Sequence, residues 1–225
     1  MKTIGIIGAM PSELIDIKNK LNGAVVQRIS GFDYHVDNVG DKKVVFVCSG
    51  IAKVNAAVCT QVLIDNFKPD AVINAGIAGG MDEKVKICDI VIANEVLPHD
   101  LDLHFLNDYP PYCGIYKADS HLSDTAVKVC EKQNRNYFIG RIVSGEAFIS
   151  DNDKKKGIKD KLLPYAVDME SAAVGHCAFL NDMPFISIRC ISDNADQDGE
   201  MSFDEFEKIA AKIVADIVLE MIEMI

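Results

Sequence analysis

The sequence lacks the features that go with negatively charged partners. Its 225 residues include 23 basic and 34 acidic side chains, a net charge of −11 at pH 7, whereas nucleic acids and anionic membranes are bound through a positive field. No apolar run approaches the roughly 20 residues that span a bilayer. The apolar start MKTIGIIGAM is followed at once by Glu13 and Asp16, which is typical of a first strand rather than a signal peptide. We therefore expect neither nucleic acid nor a membrane as partner.

Cysteines at metal or redox spacing are also missing. The seven cysteines are scattered, odd in number and never arranged as C-x-x-C, which disfavours disulfide bonds and zinc ligation. Most of them lie in apolar runs, so we expect buried free thiols in a reducing cytoplasm. Neither a metal nor an organic cofactor is predicted.

The remaining composition is that of an ordinary globular chain. With 49% hydrophobic and 25% charged residues, and without repeats, low-complexity tracts or a linker, it predicts a single domain over residues 1–225. Strand-like apolar runs alternate with helical periodicity. This order predicts an α/β fold, a three-layer sandwich with a central mixed, twisted sheet flanked by helices.

The predicted elements follow from this periodicity. The strands are expected at 3–9, 32–39, 43–48, 71–75, 88–96, 137–143, 165–168 and 185–191, and the helices at 11–21, 53–67, 120–133, 154–162, 170–181 and 203–225. The last helix is expected to begin with a capping box of Ser202 and Glu205. Segment 97–118 is the one long irregular stretch, expected to be a lid, a partner contact or both.

The last predicted helix carries an apolar stripe. The stripe consists of Phe206, Ile209, Ile213, Ile217, Met221 and Met224. Two interpretations stay open for it: a contact with a second copy of the chain, or burial in the chain's own core.

Three acidic residues stand out: Glu13, Glu170 and Asp193 each follow an apolar run that predicts a strand. Carboxylates at the carboxyl ends of strands in an α/β sheet point into the crevice where ligands bind. Three of them predict a cleft suited to proton transfer and to holding hydroxyl groups. That chemistry breaks a bond in a neutral, polyhydroxylated substrate.

The first acid lies in GIIGAMPSE (5–13), where a strand passes into a helix near Pro11. The glycines do not form the G-x-G-x-x-G fingerprint, which disfavours a nicotinamide-dependent oxidoreductase. Glu13 falls in the first helical turn, where the helix dipole favours its ionised form. It could act as a general base, or it could serve only the dipole.

Two other segments follow predicted strands. NAGIAGG (74–80) lacks the Lys-Ser/Thr of a phosphate-binding loop, so a tight turn is favoured over a site. In SGIAKVNAA (49–57), Ser49 and Gly50 end a strand and Lys53 opens a helix. The favoured interpretation is a helix cap followed by a solvated lysine.

VSGEAFIS (143–150) places two large apolar residues, Phe148 and Ile149, in a loop. Exposed apolar side chains in a loop predict a stacking surface for a flat ring. The alternative is that both side chains pack back into the core.

AVDMESAAV (166–174) carries two acids at a strand end. Asp168 and Glu170 share a face if the segment is extended, and one of them could hold vicinal ribose hydroxyls through two hydrogen bonds. In IRCISDNAD (188–196), Arg189, Ile191 and Asp193 occupy every second position, so Arg189 and Asp193 are expected on one face of the strand.

An arginine inside an apolar strand needs an anionic partner, which Asp193, Glu170 or Glu13 could supply. Two interpretations of Arg189 and Asp193 follow. They could form a buried structural ion pair, or Asp193 could be an acid whose raised pKa lets it donate a proton.

Taken in order, these segments resemble the 5′-methylthioadenosine/S-adenosylhomocysteine nucleosidases of the purine nucleoside phosphorylase superfamily. The resemblance runs nearly end to end, through IGIIGAM, SGIAKVNAA, NAGIAGG, VSGEAFI, VDMESAAV, IRCISDNAD and SFDEF. It implies a nucleoside phosphorylase-like fold, a homodimer, and hydrolysis of the N-ribosidic bond of 5′-modified adenosines to release adenine.

The resemblance also implies residue roles. Glu13 would activate the attacking water, Asp193 would protonate the purine at N7, and Arg189 would orient the water and the carboxylates. Glu170, with Met169, would bind the ribose hydroxyls. The other substrate-binding residues implied are Phe148 and Ile149 at the adenine, Met10, Ile51 and Phe203 at the 5′ substituent, and Ile77 and Ala78 in the glycine-containing segment.

The chain departs from the family pattern in places. Ile77 stands where many members have serine, Pro11-Ser12 where they have acids, and His99-Asp100 is followed by LDLHFLNDYPPY instead of Ala-Phe-Gly-Tyr. These departures bear on the 5′ substituent and leave methylthioadenosine, S-adenosylhomocysteine, 5′-deoxyadenosine and a futalosine-type substrate unranked.

Two other functions stay open. A nucleoside phosphorylase of the same fold is disfavoured because the loops after 3–9 and 71–75 offer no arginine for phosphate, and because Glu13 would repel phosphate. A non-catalytic nucleoside-binding protein is disfavoured because all three carboxylates are present.

Overall fold

Ten strands form one mixed sheet in the computed structural model. The structure describes residues 1–196 and 199–225, and it describes their side chains except those of residues 199–202. The strands are β1 (Thr3–Gly8), β2 (Val25–Ile29), β3 (Phe32–Val39), β4 (Lys42–Cys48), β5 (Ala71–Gly80), β6 (Ile90–Pro98), β7 (Tyr116–Lys117), β8 (Tyr137–Ser144), β9 (Ala166–Asp168) and β10 (Phe185–Asp193). The helices are α1 (Pro11–Lys20), α2 (Lys53–Phe67), α3 (His104–Asp108), α4 (Ser120–Lys132), α5 (Asn152–Leu162), α6 (Ser171–Leu180) and α7 (Gly199–Met224).

The strand order is β10-β6-β8-β9-β5-β1-β4-β3-β2, with β7 paired to β6. β10 also pairs with β5, so five of the strands, β5, β10, β6, β8 and β9, close into a ring at one end of the sheet. β1 is parallel to both β4 and β5, and β5 is parallel to β10. Their carboxyl ends therefore lie at one edge, where a ligand site is expected.

Two apolar cores cover the two faces of the sheet. In β4, Val44 and Phe46 face the first core and Val45 and Val47 face the second, because successive side chains of a strand point to opposite faces. Helices α1, α4 and α7 pack on the first face, and α2 and α6 on the second. The predicted α/β sandwich with a central mixed sheet is confirmed.

The glycine-containing segment is not a turn, contrary to the sequence-based prediction. β5 continues through Gly80, and every one of its residues is buried. It pairs with β10 as far as Gly79 and with β9 at Gly79 and Gly80. Strand neighbours on both sides hold the segment extended, which overrides the turn tendency of glycine.

Three short elements were absent from the prediction: β2, α3 and β7. β2 is an edge strand whose residues are almost all exposed, so it lacks the apolar alternation that would mark it. α3 and β7 lie within 97–118, which is therefore less irregular than expected.

The middle of the apolar stripe of α7 belongs to the core. Ile213, Ile217 and Met221 are buried against the first face of the sheet, whereas Ile209 and Met224 near the two ends of the stripe are exposed. The side chain of Ser202, proposed to cap this helix, lies outside the described residues. Within the described residues, no helix combines the length and the hydropathy needed to cross a bilayer.

Candidate active site

A cavity of about 320 Å³ opens where β1, β5, β9 and β10 end. Its lining comes from segments far apart in the chain: Ala9, Met10, Glu13, Ile51, Ile77, Ala78, Gly79, Phe148, Val167, Asp168, Met169, Glu170, Ser192, Asp193 and Phe203. The three carboxylates that the sequence singled out, Glu13, Glu170 and Asp193, therefore share one cavity.

Two of the predicted site residues do not line this cavity. Arg189 is fully buried behind it. The Ile149 side chain packs with Met81, Leu97 and other residues of a small separate core. The pair Phe148-Ile149 is thus divided, because Phe148 is 42% exposed and faces the cavity while Ile149 is tucked inward.

Glu13 is held by backbone N–H groups from the segment after β1 and from β5. Its Oε2 accepts from the N–H of Ala9 (2.6 Å) and of Met10 (2.9 Å), and its Oε1 accepts from the N–H of Ile77 (2.9 Å). Burial raises the pKa of the Glu13 carboxyl, although Arg189 and these N–H groups oppose the rise. The expectation of an ionised carboxylate rested on the helix dipole and left out this cost of burial.

Asp193 is also buried, at the end of β10. Its Oδ1 accepts from the N–H of Ala195 (2.7 Å), and its Oδ2 accepts from the Ser192 hydroxyl (2.9 Å). Burial raises the pKa of the Asp193 carboxyl above its ordinary value, against both hydrogen bonds. A carboxyl in this state can donate a proton to a bound base.

Arg189 and Asp193 do not lie on one face of β10, which corrects the sequence-based expectation. Arg189 lies opposite Gly76, and Asp193 lies opposite Gly79 after a register shift between Ile191 and Asp193. A bulge inserts one residue and so reverses the alternation of side chains. Asp193 thereby points to the face of the sheet opposite to Arg189.

Glu170 precedes the first turn of α6. Its Oε1 accepts from the N–H of Ala52 (2.9 Å), and its Oε2 lies 3.6 Å from Nη2 of Arg189. Burial raises the pKa of the Glu170 carboxyl, and Arg189 lowers it in part. Ala52, with φ of 82°, is the residue that precedes α2, and its side chain makes no capping hydrogen bond.

The strongest anionic partner of Arg189 is Asp168, which was not among its expected partners. Arg189 Nε donates to Asp168 Oδ2 at 2.8 Å, whereas Nη1 lies 3.8 Å from Glu13 Oε1. Asp168 also accepts from the Ser144 hydroxyl (2.5 Å). Its oxygens are thus occupied by protein groups.

Aromatic rings close the outer side of the cavity. Phe148 meets Phe203 edge to face, with ring centroids 5.8 Å apart. The exposed ring of Phe148 can stack on a flat heterocycle. Ile77 and Ala78 also line the cavity, and the N–H of Ile77 donates to Glu13 Oε1.

Lys53 is not simply solvated. Its Nζ donates to Asp100 Oδ1 at 2.6 Å, and Asp100 Oδ2 accepts from the N–H of Glu146. This contact joins the start of α2 to the segment after β6. Neither Lys53 nor any described residue of 97–118 lines the cavity.

Several residues with a place in the site had not been predicted for it. Asn74, Ser144, Ser171, Ser187 and Ser192 are buried polar residues in or beside apolar strands. Such residues need hydrogen-bond partners, so their position in apolar runs was a usable signal. Within the described residues, no group of three or more His, Cys, Asp or Glu side chains could hold a metal ion.

Comparison with known proteins gives concordant results. The sequence profile of the phosphorylase superfamily matches residues 3–223. The chain is 39% identical to the 5′-methylthioadenosine/S-adenosylhomocysteine nucleosidase of Bacillus licheniformis, over 99% of both chains.

Solved structures agree with the sequence match. The Neisseria meningitidis nucleosidase of the same name, in complex with methylthio-immucillin-A, superposes with a TM-score of 0.95 and 32% identity over 100% of both chains. The futalosine hydrolase of Helicobacter pylori superposes with a TM-score of 0.93 and 28% identity, over 100% of this chain and 98% of the other.

Proposed function

Because the chain belongs to the 5′-methylthioadenosine/S-adenosylhomocysteine nucleosidase family of the phosphorylase superfamily, we propose that it hydrolyses the N-ribosidic bond of 5′-modified adenosines and releases adenine. Methylthioadenosine and S-adenosylhomocysteine are its proposed substrates. The observation that carries the proposal is the single cavity in which Glu13, Glu170 and Asp193 meet.

Asp193 is the proposed general acid. Cleavage of the bond makes an oxocarbenium-like sugar and a purine that leaves poorly as an anion. Protonation at N7 turns the purine into a neutral leaving group, which typically contributes 10²–10⁴-fold to the rate. The raised pKa of Asp193 supports this role because the carboxyl keeps its proton to higher pH.

Glu13 is the proposed base for the attacking water. Three backbone N–H groups fix its carboxylate, so its remaining acceptor capacity is directed into the cavity. Arg189 Nη1, which has no hydrogen-bond partner among the described atoms, lies 3.8 Å from Glu13 Oε1. A water that bridges these two groups would be oriented for attack and would lose its proton to Glu13, much as the base carboxylate activates water in inverting glycosidases.

Glu170 is the proposed clamp for the ribose hydroxyls, beside Met169. Hydrogen bonds from the hydroxyls to this carboxylate strengthen as positive charge develops on the sugar ring. Phe148 and the backbone of Ile149 are proposed to hold the adenine. Met10, Ile51, Ile77, Ala78 and Phe203 are proposed to line the apolar remainder of the pocket.

Product analysis in the presence and absence of phosphate tests hydrolysis against phosphorolysis. The charged residues that line the cavity are all acidic, so phosphate has no counter-charge there, and free methylthioribose is expected from methylthioadenosine in phosphate-free buffer. Strict dependence on phosphate, with a sugar 1-phosphate as product, would make the protein a phosphorylase instead.

Adenine release also separates an enzyme from a nucleoside-binding protein. A coupled assay for free adenine is expected to show turnover with methylthioadenosine. Tight binding of methylthioadenosine without any adenine release would contradict the hydrolase proposal.

A homodimer is proposed from the family and supported by an apolar surface between α2 and α6. This α2–α6 groove, about 530 Å³, is lined by Lys53, Val54, Ala57, Val58, Gln61, Pro98, Leu101, Leu106, Tyr116, Ala172, Ala173, His176, Cys177 and Leu180. Val54 and Leu180 are 71% and 61% exposed, and apolar patches of this kind mark protein interfaces. A second copy of the chain is the proposed occupant.

A cytoplasmic location is proposed as well. All seven cysteines are free thiols, as expected of a chain kept in a reducing compartment. Fractionation of the native cells, with detection of the protein in the cytoplasmic fraction, tests this proposal.

A further inference from the structure

Arg189 is held from behind by buried polar side chains to which the proposed chemistry assigns no task. They are Asn74 of β5, Asp168 of β9, Ser171 of α6 and Ser187 of β10, all buried. We call these four residues the Arg189 cradle. They come from four different elements and meet only around the guanidinium.

The cradle uses the donors of Arg189 that point away from Glu13. Nε donates to Asp168 Oδ2 (2.8 Å) and Nη2 donates to Asn74 Oδ1 (2.7 Å). The Ser171 hydroxyl lies 3.3 Å from Nε and 3.2 Å from Nη2. Because the guanidinium is planar with donors in a fixed fork, these contacts set its plane and its rotation. Nη1 is left to face Glu13.

The cradle is itself ordered by hydrogen bonds. The Ser171 hydroxyl donates to Asp168 Oδ2. The Ser187 hydroxyl then donates to Ser171 Oγ (2.6 Å) or to Asn74 Oδ1 (3.2 Å). Asn74 Nδ2 donates to the Ile7 carbonyl of β1 (3.2 Å), which turns Asn74 Oδ1 toward the arginine.

Charge neutrality alone does not account for these residues. Asp168, with Glu13 and Glu170 nearby, already supplies anionic partners for Arg189. Burying two hydroxyls and an amide in the interior adds a desolvation cost and no charge. The three neutral side chains instead fix the orientation of the Arg189 guanidinium.

We propose that the cradle is a positioning device that aims Arg189 at Glu13 and Glu170, with Asn74, Ser171 and Ser187 as positioning residues for the reaction. The inference rests on the proposed function. A guanidinium free to rotate would no longer present Nη1 to Glu13 or Nη2 to Glu170. The ionised form of Glu13 would lose a stabilising cation, and the bridging water would lose a donor.

Ser187→Ala is the test variant, because the recorded partners of the Ser187 hydroxyl are cradle members only. Thr60→Val is the matched control: it removes another fully buried hydroxyl, bonded to the Ala56 carbonyl within α2 and remote from the cavity. Loss of one hydrogen bond predicts a kcat about three- to tenfold lower for Ser187→Ala, with KM changed less. Thr60→Val is expected to keep the wild-type kcat.

The pH profile provides a readout that mere destabilisation would not move. Since Arg189 lowers the pKa of Glu13, its misalignment raises that pKa. The acid limb of the kcat/KM profile of Ser187→Ala therefore moves to higher pH, and that of Thr60→Val stays in place. Ser171→Ala, which removes a second cradle hydroxyl, is expected to show the same shift.

A double-mutant cycle tests whether Ser187 acts through Glu13. In a Glu13→Gln background, Ser187→Ala is expected to change the residual kcat less than twofold, because the group it acts on has lost its charge. Wild-type kcat and acid limb in both serine variants, beside an active wild-type enzyme, would overturn the cradle's role. A wild-type enzyme that releases no adenine would instead overturn the proposed function.

Discussion

The Asp193 carboxyl is both buried and held in place by hydrogen bonds. Burial raises its pKa, which suits a proton donor, and the N–H of Ala195 and the Ser192 hydroxyl hold it in place. The folded-state pKa is raised above the unfolded one. The carboxyl's contribution to stability is therefore present in full below the unfolded pKa and is lost as pH rises through the folded pKa.

Asp193→Asn separates activity from stability. The amide cannot donate the catalytic proton, so kcat for adenine release is expected to fall about 10²–10⁴-fold. The melting temperature at pH 8 is expected to equal or exceed that of the wild type, because a buried ionised carboxylate is replaced by a neutral isostere. Asp119→Asn, a change at the residue that caps α4, is the control that keeps wild-type activity. Near-normal turnover of Asp193→Asn would refute the acid role.

Lys155 of α5 tunes the same acid. Its half-buried ammonium donates to the carbonyl of Asn194, and it lowers the pKa of Asp193 while Asp196 raises it. Lys155→Met removes the cation, so the pKa of Asp193 rises and the alkaline limb of the kcat/KM profile moves to higher pH. The exposed Lys154 on the same helix gives the control Lys154→Met, for which no shift is expected. An unmoved limb in Lys155→Met would rule this tuning out.

At single positions, the sequence identified which residues carry the acidic groups of the site, but not which way their side chains point. Glu13, Glu170 and Asp193 could be singled out because each follows an apolar strand, and the fold brings all three to one cavity. The face of Asp193 could not be read from alternation, because the register shift after Ile191 is visible only in the pairing with β5. The choice of Asp168 as the partner of Arg189 likewise depends on tertiary structure, because β9 and β10 both pair with β5.

At the scale of elements, β5 shows how an extended glycine-containing strand makes room for the site. A Cβ added at Gly76 would lie 2.1 Å from Arg189 Nη1 and 2.2 Å from Glu13 Oε1. A glycine here is required by the close approach of Arg189 and Glu13 rather than by its backbone conformation. From the sequence, the glycines of NAGIAGG (74–80) were compatible with a ligand contact or with a turn. The segment is extended and forms no turn because it pairs with strands on both sides.

Gly76→Ala is expected to displace Arg189 from Glu13 and to lower kcat at least about tenfold, since the clash involves fully buried groups. Gly157→Ala is the matched control: it lies in α5 with no atom near the added Cβ. That control is expected to stabilise the protein by about 0.5–1 kcal/mol, because alanine is the better helix former. Urea unfolding and adenine release measure both variants. Wild-type kcat in Gly76→Ala would contradict the packing of these groups.

The long helices and buried strands were predictable because their periodicity is strong, and the short elements were not. α2 begins at Lys53 as expected, but its cap could not be foreseen: the N–H of Ala52 pairs with Glu170, a residue 118 positions away. β2, at the sheet edge, is stabilised by pairing with β3 rather than by an apolar face. In each case a partner outside the element decides the local structure.

At the scale of the whole molecule, the packing of the layers decides which apolar helix faces are buried and which are exposed. The middle of the α7 stripe, with Ile213, Ile217 and Met221, is covered by the sheet, whereas the α2–α6 groove remains open. A sequence pattern alone cannot separate these outcomes, because both present apolar residues at helical spacing. The layer order decides: α7 crosses the centre of one face, while α2 and α6 pack side by side on the other and leave apolar side chains outward.

Val58→Glu tests whether the α2–α6 groove holds a second copy of the chain. A charge placed in an apolar interface is costly unless it is paired, so the variant is expected to run at the monomer mass of 24.6 kDa in sedimentation, while the wild type runs at twice that mass. Val26→Glu on the edge strand β2 is the control, because Val26 is 51% exposed against 48% for Val58 and lies outside the groove. The control is expected to keep the wild-type mass. A dimer that survives Val58→Glu, or a wild type that is monomeric at micromolar concentration, would remove the groove as the dimer interface.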